Sequence, residues 1–365
     1  MPERFDVAIV GGGPAGSSCA WRLRHSGARV VVFDRETFPR DKSCAGWISP
    51  GVFSALGVAV EEYAPRRVLQ PIVGFRTGLM GGGEIETRYE RVVSYGVRRR
   101  EFDAFLLQRC GAELRTGQPV RSLVRSDGRW RINESCEAAL LVGAGGTFCP
   151  VARLPGAREA PRAPLVISQQ IEWEAAGDDL AGATVAADVP ELFFCEDLRG
   201  YGWCIRKGPF LNIGLGRIGG KDLPARVASF VRFLRDRGKL VGPVAGRFRG
   251  HAYRLCVCAP SRLSGEGFLL AGDAAGLAHP KSGAGIQAAV DSGLIAAAVI
   301  LQAGTGGSRA ALESYPERIA AHFRAASRAQ SPQLLPRAWL NWCGRRLLSS
   351  RRFTRRVVLD RWFLS

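Results

Sequence analysis

A chain of 365 residues exceeds what one hydrophobic core usually supports, so two parts sharing one chain are expected. With 46% apolar residues it can bury a sizeable core, and 51 Lys and Arg against 33 Asp and Glu leave a formal charge of +18, which suits nucleic acid, acidic lipid or anionic ligands without choosing among them. The ten cysteines stand singly, with no CxxC pair and no His/Cys spacing; this gives no metal signature, argues against a disulfide-stapled miniprotein, and leads us to expect reduced thiols in a cytoplasm.

Only Met1 to Arg4 precede the first strand, too little for a signal peptide, and the longest apolar stretch, Leu294 to Leu301, is short for a membrane span. A cytoplasmic protein, soluble or peripheral on a membrane, is the expectation. Phe5, Val7, Ile9 and Val10 read as a buried strand running into Gly11-Gly12-Gly13-Pro14-Ala15-Gly16. Ser17 to His25 suits a helix, Gly27 stops it, and Val30 to Phe33 is a second buried strand ending at Asp34. In this strand–turn–helix–strand opening Gly11 permits the tight turn, Gly13 admits a pyrophosphate to the backbone, and Gly16 lets the helix pack on the strand. The phosphates would sit by Ala15 at the helix N-terminus, and Asp34 would accept hydrogen bonds from a ribose. The alternative is a glycine-rich turn without a ligand.

The loop from Phe38 to Gly46 holds Pro39, Lys42, Cys44 and Ala45. It resembles the PxxKxCxG stretch of the geranylgeranyl reductase family, flavoproteins with the p-hydroxybenzoate hydroxylase type of fold. The resemblance implies that Cys44 lies near the reactive end of FAD, with Lys42 and Ala45 along the cofactor. Cysteine's commonest role, a small buried filler, is the alternative for Cys44.

Residues 66–92, with Pro71, Gly74 and the Gly81-Gly82-Gly83 turn, follow hairpin grammar. A helix then carries Phe102, Phe105 and Leu106 on one face. Its start resembles the superfamily's VxRxxFD segment, which implies that Arg99 reaches FAD. Val120 to Ile132 reads as a hairpin turning at Asp127-Gly128, and Val120 is a further expected cofactor contact. Leu140 to Val142 is another buried strand, leading to Gly143 to Arg153. That stretch resembles the GADGxxSxVR motif, except that Gly145 stands at the aspartate, which puts direct use of a nicotinamide donor in question.

From about 156 to 260 strand-like runs dominate, with one amphipathic helix bearing Val227, Phe230, Val231 and Leu234. Within them Tyr201-Gly202-Trp203 and Gly214-Leu215-Gly216 resemble the YxWxFPx(7–8)GxG motif of geranylgeranyl reductases, with Ile205 for phenylalanine and Arg206 for proline. The resemblance implies that Tyr201, Trp203, Gly214 and Gly216 line an isoprenoid cavity; the plainer reading is a strand pair with core aromatics. Finally, Gly267 to Gly276 delivers Asp273, and Gly283, Gly285 and Ile286 lead into a helix running to Leu301. By resemblance Asp273 binds the ribityl chain and the helix N-terminus faces the flavin pyrimidine. His279 is expected to be structural. The last stretch, Ser331 to Ser365, interleaves eight arginines with Trp339, Trp342, Leu347, Leu348, Phe353, Trp362 and Phe363. Either an anionic membrane or a pair of capping helices accounts for it, and the arginines do not fall on one face at α-helical spacing.

The expected architecture is α/β: a Rossmann-like FAD-binding domain built from 1–65, 93–155 and 262–330, an inserted β-rich substrate domain from 66–92 and 156–261, and a basic helical segment over 331–365. The expected function is reduction of C=C bonds in an isoprenoid lipid or related apolar substrate, with a ferredoxin-like carrier or NADPH as donor, Cys44 as the catalytic candidate, and neither a metal nor nucleic acid involved. A flavin monooxygenase of the same fold, with a halogenase as its narrower form, is one alternative. A non-catalytic basic protein binding membrane or RNA is the other.

Overall fold

The computed structural model describes residues 2–155, 157, 164–256, 263–304, 309–327 and 337–364. By its contacts the chain forms two compact units, Met1–Asp41 with Arg100–Pro164 and Tyr253–Gln330, and Lys42–Arg99 with Leu165–Ala252 and Ser331–Ser365. Residues 42–65 and 93–99, grouped with the FAD domain in the sequence reading, thus fall in the second unit, and so does the C-terminal segment.

The first unit is built on a parallel sheet in the spatial order Glu113–Arg115, Val30–Phe33, Glu3–Val10, Cys136–Gly143, Phe268–Leu270. Its central strands are apolar runs because both faces are covered: all four residues of Val30–Phe33 are buried, and so are the last four of Glu3–Val10. The chain order reverses between Glu3–Val10 and Cys136–Gly143, and the crevice beyond the carboxyl ends of such neighbours is where doubly wound sheets place ligands. The hairpin Leu123–Ser126 and Arg129–Ile132 pairs on Cys136–Gly143 and turns at Asp127 and Gly128, both with positive φ, in accordance with the expected turn.

The helix Ile286–Ala303 is longer than the apolar stretch read from the sequence, and by length and composition it could cross a membrane. Packing explains its apolarity. It lies along the opening helix Pro14–Leu23, and the hydrogen face of Gly293 meets the backbone of Ala15 so closely that a Cβ there would overlap the Ala15 carbonyl. It is a core helix of the first unit.

In the second unit a seven-stranded sheet runs Arg249–Arg254, Leu165–Glu174, Phe210–Ile218, Gly200–Lys207, Glu191–Phe194, Gly74–Leu79, Glu84–Arg88. The neighbours Glu191–Phe194 and Gly74–Leu79 are parallel, an arrangement that hairpin reading alone does not provide. Helix Leu223–Asp236 buries Val227, Phe230, Val231 and Leu234, the face predicted from their spacing. A three-stranded sheet, Trp47–Ile48, Ser94–Val97 and Leu69–Ile72, carries the chain just after Cys44.

The C-terminal segment is helix Arg337–Leu348, a short turn Arg351–Phe353, and a π-helix Thr354–Phe363. Leu364 donates its N–H to Leu359 O at 2.9 Å, five residues back as in a π-helix. This wider turn corrects the periodicity. Thr354, Val358, Leu359 and Phe363 are buried at four- to five-residue intervals, whereas Arg351, Arg352, Arg355, Arg356 and Arg361 are exposed. The arginines therefore share a face that α-helical spacing conceals.

Candidate active site

The glycine turn of the first unit shows which glycines the fold requires. Gly11, at φ +114°, sits where a Cβ would overlap the Ala144 carbonyl, and a Cβ on Gly16 would overlap the Gly11 carbonyl. These two hold the ends of the crossover strands together, with Ala144 N–H donating to Val10 O at 2.8 Å. Gly13 differs. Its φ is −74°, and a Cβ there would meet only the Arg40 guanidinium, at 3.5 Å. The fold tolerates a side chain at 13, so the bare backbone there leaves room for a group outside the chain.

Asp34 stands at the end of its strand. Oδ2 accepts the Gly12 N–H at 2.8 Å and Oδ1 the Glu36 N–H at 2.9 Å, which fixes the half-buried carboxylate with a lone pair on each oxygen still available to ribose hydroxyls. The sequence reading missed Arg40. Its Nη2 pairs with the fully buried Asp103 at 3.2 Å and would stand 3.5 Å from a Cβ on Gly13; the guanidinium lies 4.6 Å over the Phe38 ring, and its buried Nη1 has no hydrogen-bond partner. A guanidinium near a glycine turn and a helix N-terminus, with one nitrogen still unpartnered, suits a diphosphate. The residues present fit FAD. Asp103, in the VxRxxFD stretch, supplied the available signal: a buried carboxylate demands a cation, and Arg40 is in the loop already singled out.

The other expected contacts of this unit are distributed around its sheet. Val120 is half-buried against the core ahead of the hairpin. Asp273 lies in the short 3₁₀ turn Gly272–Ala274, with an oxygen 3.4 Å from where a Cβ on Gly285 would be. Gly283, at φ +70°, approaches the Tyr253 ring, and Gly285 precedes Ile286 at the N-terminus of the core helix. His279 Nδ1 accepts the Ser282 N–H at 3.2 Å, so it braces this loop as a neutral ring; burial first, then Lys281, lowers its pKa. At Gly145 an added Cβ would stand 3.2 Å from Cys149 Sγ, so an aspartate would need the cysteine to yield by a few tenths of an ångström.

In the second unit, two motifs far apart in sequence form one hydrogen-bonded cluster. Trp203 faces Gly214 across the strand pair, and the indole occupies the space a Gly214 side chain would need. Tyr201 faces Gly216 in the same register. The indole Nε1 donates to Asn212 Oδ1 at 2.8 Å, and Asn212 Nδ2 reaches the Cys44 carbonyl at 3.1 Å. Lys207, with no exposed side-chain surface, donates to Ala45 O and Val97 O, both at 3.0 Å, and pairs with Glu172. Burial pushes the Glu172 carboxyl up, but Lys207, Asn212 and Arg98 together outweigh it and hold the group below the ordinary carboxylate range.

Cys44 is half-buried and free, with Sγ 3.4 Å from the Gly46 N–H. Burial, and secondly Cys44 itself, push the Tyr201 phenol well above its ordinary value, so that phenol stays protonated. Ala45, Trp47 and Tyr201 pack on an apolar cluster with Phe75, Phe194 and Trp203. Phe363 of the π-helix caps this cluster, edge-on to Tyr201 at 5.3 Å and stacked on Trp47 at 5.2 Å. Lys42 Nζ lies 3.2 Å from His251 Nδ1, and Arg99 is buried at the start of helix Arg99–Gln108. The sequence reading also missed Glu172, Lys207 and Asn212, polar residues isolated on strands whose neighbours are apolar.

The doubly wound sheet with its dinucleotide-type turn is that of an FAD-dependent oxidoreductase, and residues 6–102 match the family model for FAD dependent oxidoreductases. More particularly, the chain is similar to lipid reductases of the geranylgeranyl reductase type. Digeranylgeranylglycerophospholipid reductase 1 of Methanopyrus kandleri is 29% identical over 341 residues, covering 88% of this chain and 87% of that protein. Menaquinone reductase of Mycobacterium tuberculosis is 28% identical over 330 residues, covering 82% and 77%. A geranylgeranyl bacteriochlorophyll reductase-like protein from Thermoplasma acidophilum shares the fold with TM-score 0.75 at 20% identity, covering 95% of this chain and 88% of that one.

Proposed function

We propose that this flavoprotein reduces C=C bonds in the isoprenoid chain of a lipid, on the cytoplasmic side of an anionic membrane. The observation that carries the reading is the aromatic cluster of Trp47, Phe75, Phe194, Tyr201 and Trp203, which continues directly into the Cys44 loop. Such a wall favours an apolar chain, because ring faces bury area without demanding polar partners. Relatives named for digeranylgeranylglycerophospholipid and for menaquinone, two lipids with isoprenoid chains, support the same class.

FAD, when bound and reduced, supplies the hydride. This chain's residues supply the rest. In the first unit Gly13, Arg40 and Asp34 would hold the nucleotide half; in the second the aromatic cluster would receive the apolar chain, and Cys44 is the residue that the family resemblance assigns to the reacting end. The protonated Tyr201 phenol beside it is a second group able to hold a proton there. The test is anaerobic: photoreduced protein is mixed with digeranylgeranylglycerophospholipid or menaquinone, and flavin absorbance and saturated product are followed. Reoxidation by lipid, with product mass raised by two hydrogens per bond, supports the reading. Reoxidation by oxygen alone, with an oxygenated product, would establish the monooxygenase alternative instead.

A further inference from the structure

We infer that Lys207, Glu172 and Asn212 are positioning residues that hold the Cys44–Gly46 turn in fixed register with the Trp203 wall. The inference rests on the proposed placement of Cys44 at the reacting end, and it adds residues that no motif contains.

The argument begins with cost. A fully buried ammonium paired with a mostly buried carboxylate is often no more stable than two apolar residues of similar volume, so packing alone does not account for Lys207 on an apolar strand. What the lysine does is specific. An ammonium has three N–H donors, and Lys207 finds three acceptors: the Ala45 carbonyl, the Val97 carbonyl and the Glu172 carboxylate. Two of them are backbone carbonyls on separate segments, one of which is the residue after Cys44. Gly46, at φ +68°, makes room, since a Cβ there would stand 2.7 Å from Lys207 Nζ.

Asn212 provides the other half. Its amide oxygen receives the Trp203 indole N–H, and its nitrogen reaches the Cys44 carbonyl, Gln170 Oε1 at 2.8 Å and Glu172 Oε2 at 3.0 Å. One side chain thus ties the ring that lines the apolar wall to the residue that carries the thiol. Glu172, held also by Arg98 Nε at 3.2 Å, joins the lysine and the asparagine. The distance from thiol to wall is set by a network whose members are each hydrogen-bonded, which is how a reacting group is held to the fraction of an ångström that orientation requires.

The test uses the full chain with FAD bound and two variants, Asn212→Leu and the double Lys207→Met/Glu172→Leu, which removes both charges together. Three readouts are taken: bound flavin from the visible spectrum, the rate of Cys44 alkylation by iodoacetamide from peptide mass spectra, and steady-state kcat and KM with the isoprenoid lipid. The expectation is full flavin content, Cys44 alkylation faster by about tenfold or more, and kcat lower by about tenfold or more at unchanged KM. Gln170→Leu, which removes one contact of Asn212 and none of Cys44, should change these rates far less. Wild-type alkylation and kcat in Asn212→Leu would overturn the inference, as would faster alkylation with kcat unchanged. If the wild-type enzyme reduces no isoprenoid lipid, the proposed function fails by itself; the alkylation rates still decide whether these residues fix the turn.

Discussion

At the scale of single residues, glycines of one motif serve different purposes. Gly11 and Gly16 are demanded by the chain's own backbone, and any side chain there would break the crossover. Gly13 has ordinary φ and only a mobile guanidinium nearby, so Gly13→Val should fold with a melting temperature close to wild type and purify colourless. Arg40→Met should lower the melting temperature, because the buried Asp103 carboxylate loses the Arg40 cation, so FAD affinity is compared on the folded fraction. Removing a charge-assisted hydrogen bond to the diphosphate should weaken FAD binding by about 1.5–3 kcal/mol, roughly ten- to a hundredfold in Kd. Fluorescence titration of the apoprotein with FAD measures both. Full flavin occupancy in Gly13→Val would show that the turn does not hold the pyrophosphate. Of these residues the sequence displayed the glycines and Asp34 directly. Arg40 and Lys207 were visible only as letters, because the partners that give them roles, Asp103 and Glu172, are distant in sequence.

At the scale of elements, the C-terminal π-helix divides its residues sharply. Phe363, Val358 and Leu359 anchor on the aromatic cluster, while Arg351, Arg352, Arg355, Arg356 and Arg361 face solvent with only Asp360 opposing them in that helix. In helix Arg337–Leu348, Trp342, Arg345 and Arg346 line a groove of about 530 Å³ with Leu79 and Glu196, and Trp342 is 62% exposed. Tryptophan and arginine side by side suit a headgroup boundary. Each exposed arginine near an anionic bilayer is worth about 1 kcal/mol and is screened beyond roughly 8 Å at physiological salt. Cosedimentation with phosphatidylglycerol vesicles should therefore fall steeply with added salt and be absent on phosphatidylcholine. Arg351, Arg352, Arg355 and Arg356 changed together to glutamine should lower partitioning by about a hundredfold or more, without loss of flavin. Equal binding by that variant, or retention on RNA in preference to vesicles, would leave the arginines with another purpose.

At the scale of the whole molecule, two units and two chemistries share one chain, and the electron source is the property most open to experiment. Gly145 replaces the carboxylate of the GADG motif, and Cys149 fills part of the space beside it. NADPH should accordingly bleach the bound flavin slowly and without saturation at micromolar concentration, whereas reduced ferredoxin should bleach it within the mixing time of a stopped-flow trace; rapid saturable bleaching by NADPH would reverse that assignment. The sequence by itself determined the dinucleotide turn, the parallel core strands, the Asp127-Gly128 hairpin and the amphipathic helix Leu223–Asp236, because each depends on φ/ψ demands or on periodicity within a few residues. Only the tertiary structure decided that the Cys44 loop and the Trp203 strand are one network, that helix Ile286–Ala303 is a core element rather than a span, and that the tail arginines share a face. The reason is common to all three. A buried polar residue acquires its role from a partner on another segment, an apolar helix from what covers it, and a π-helix from a pitch that the α period does not describe.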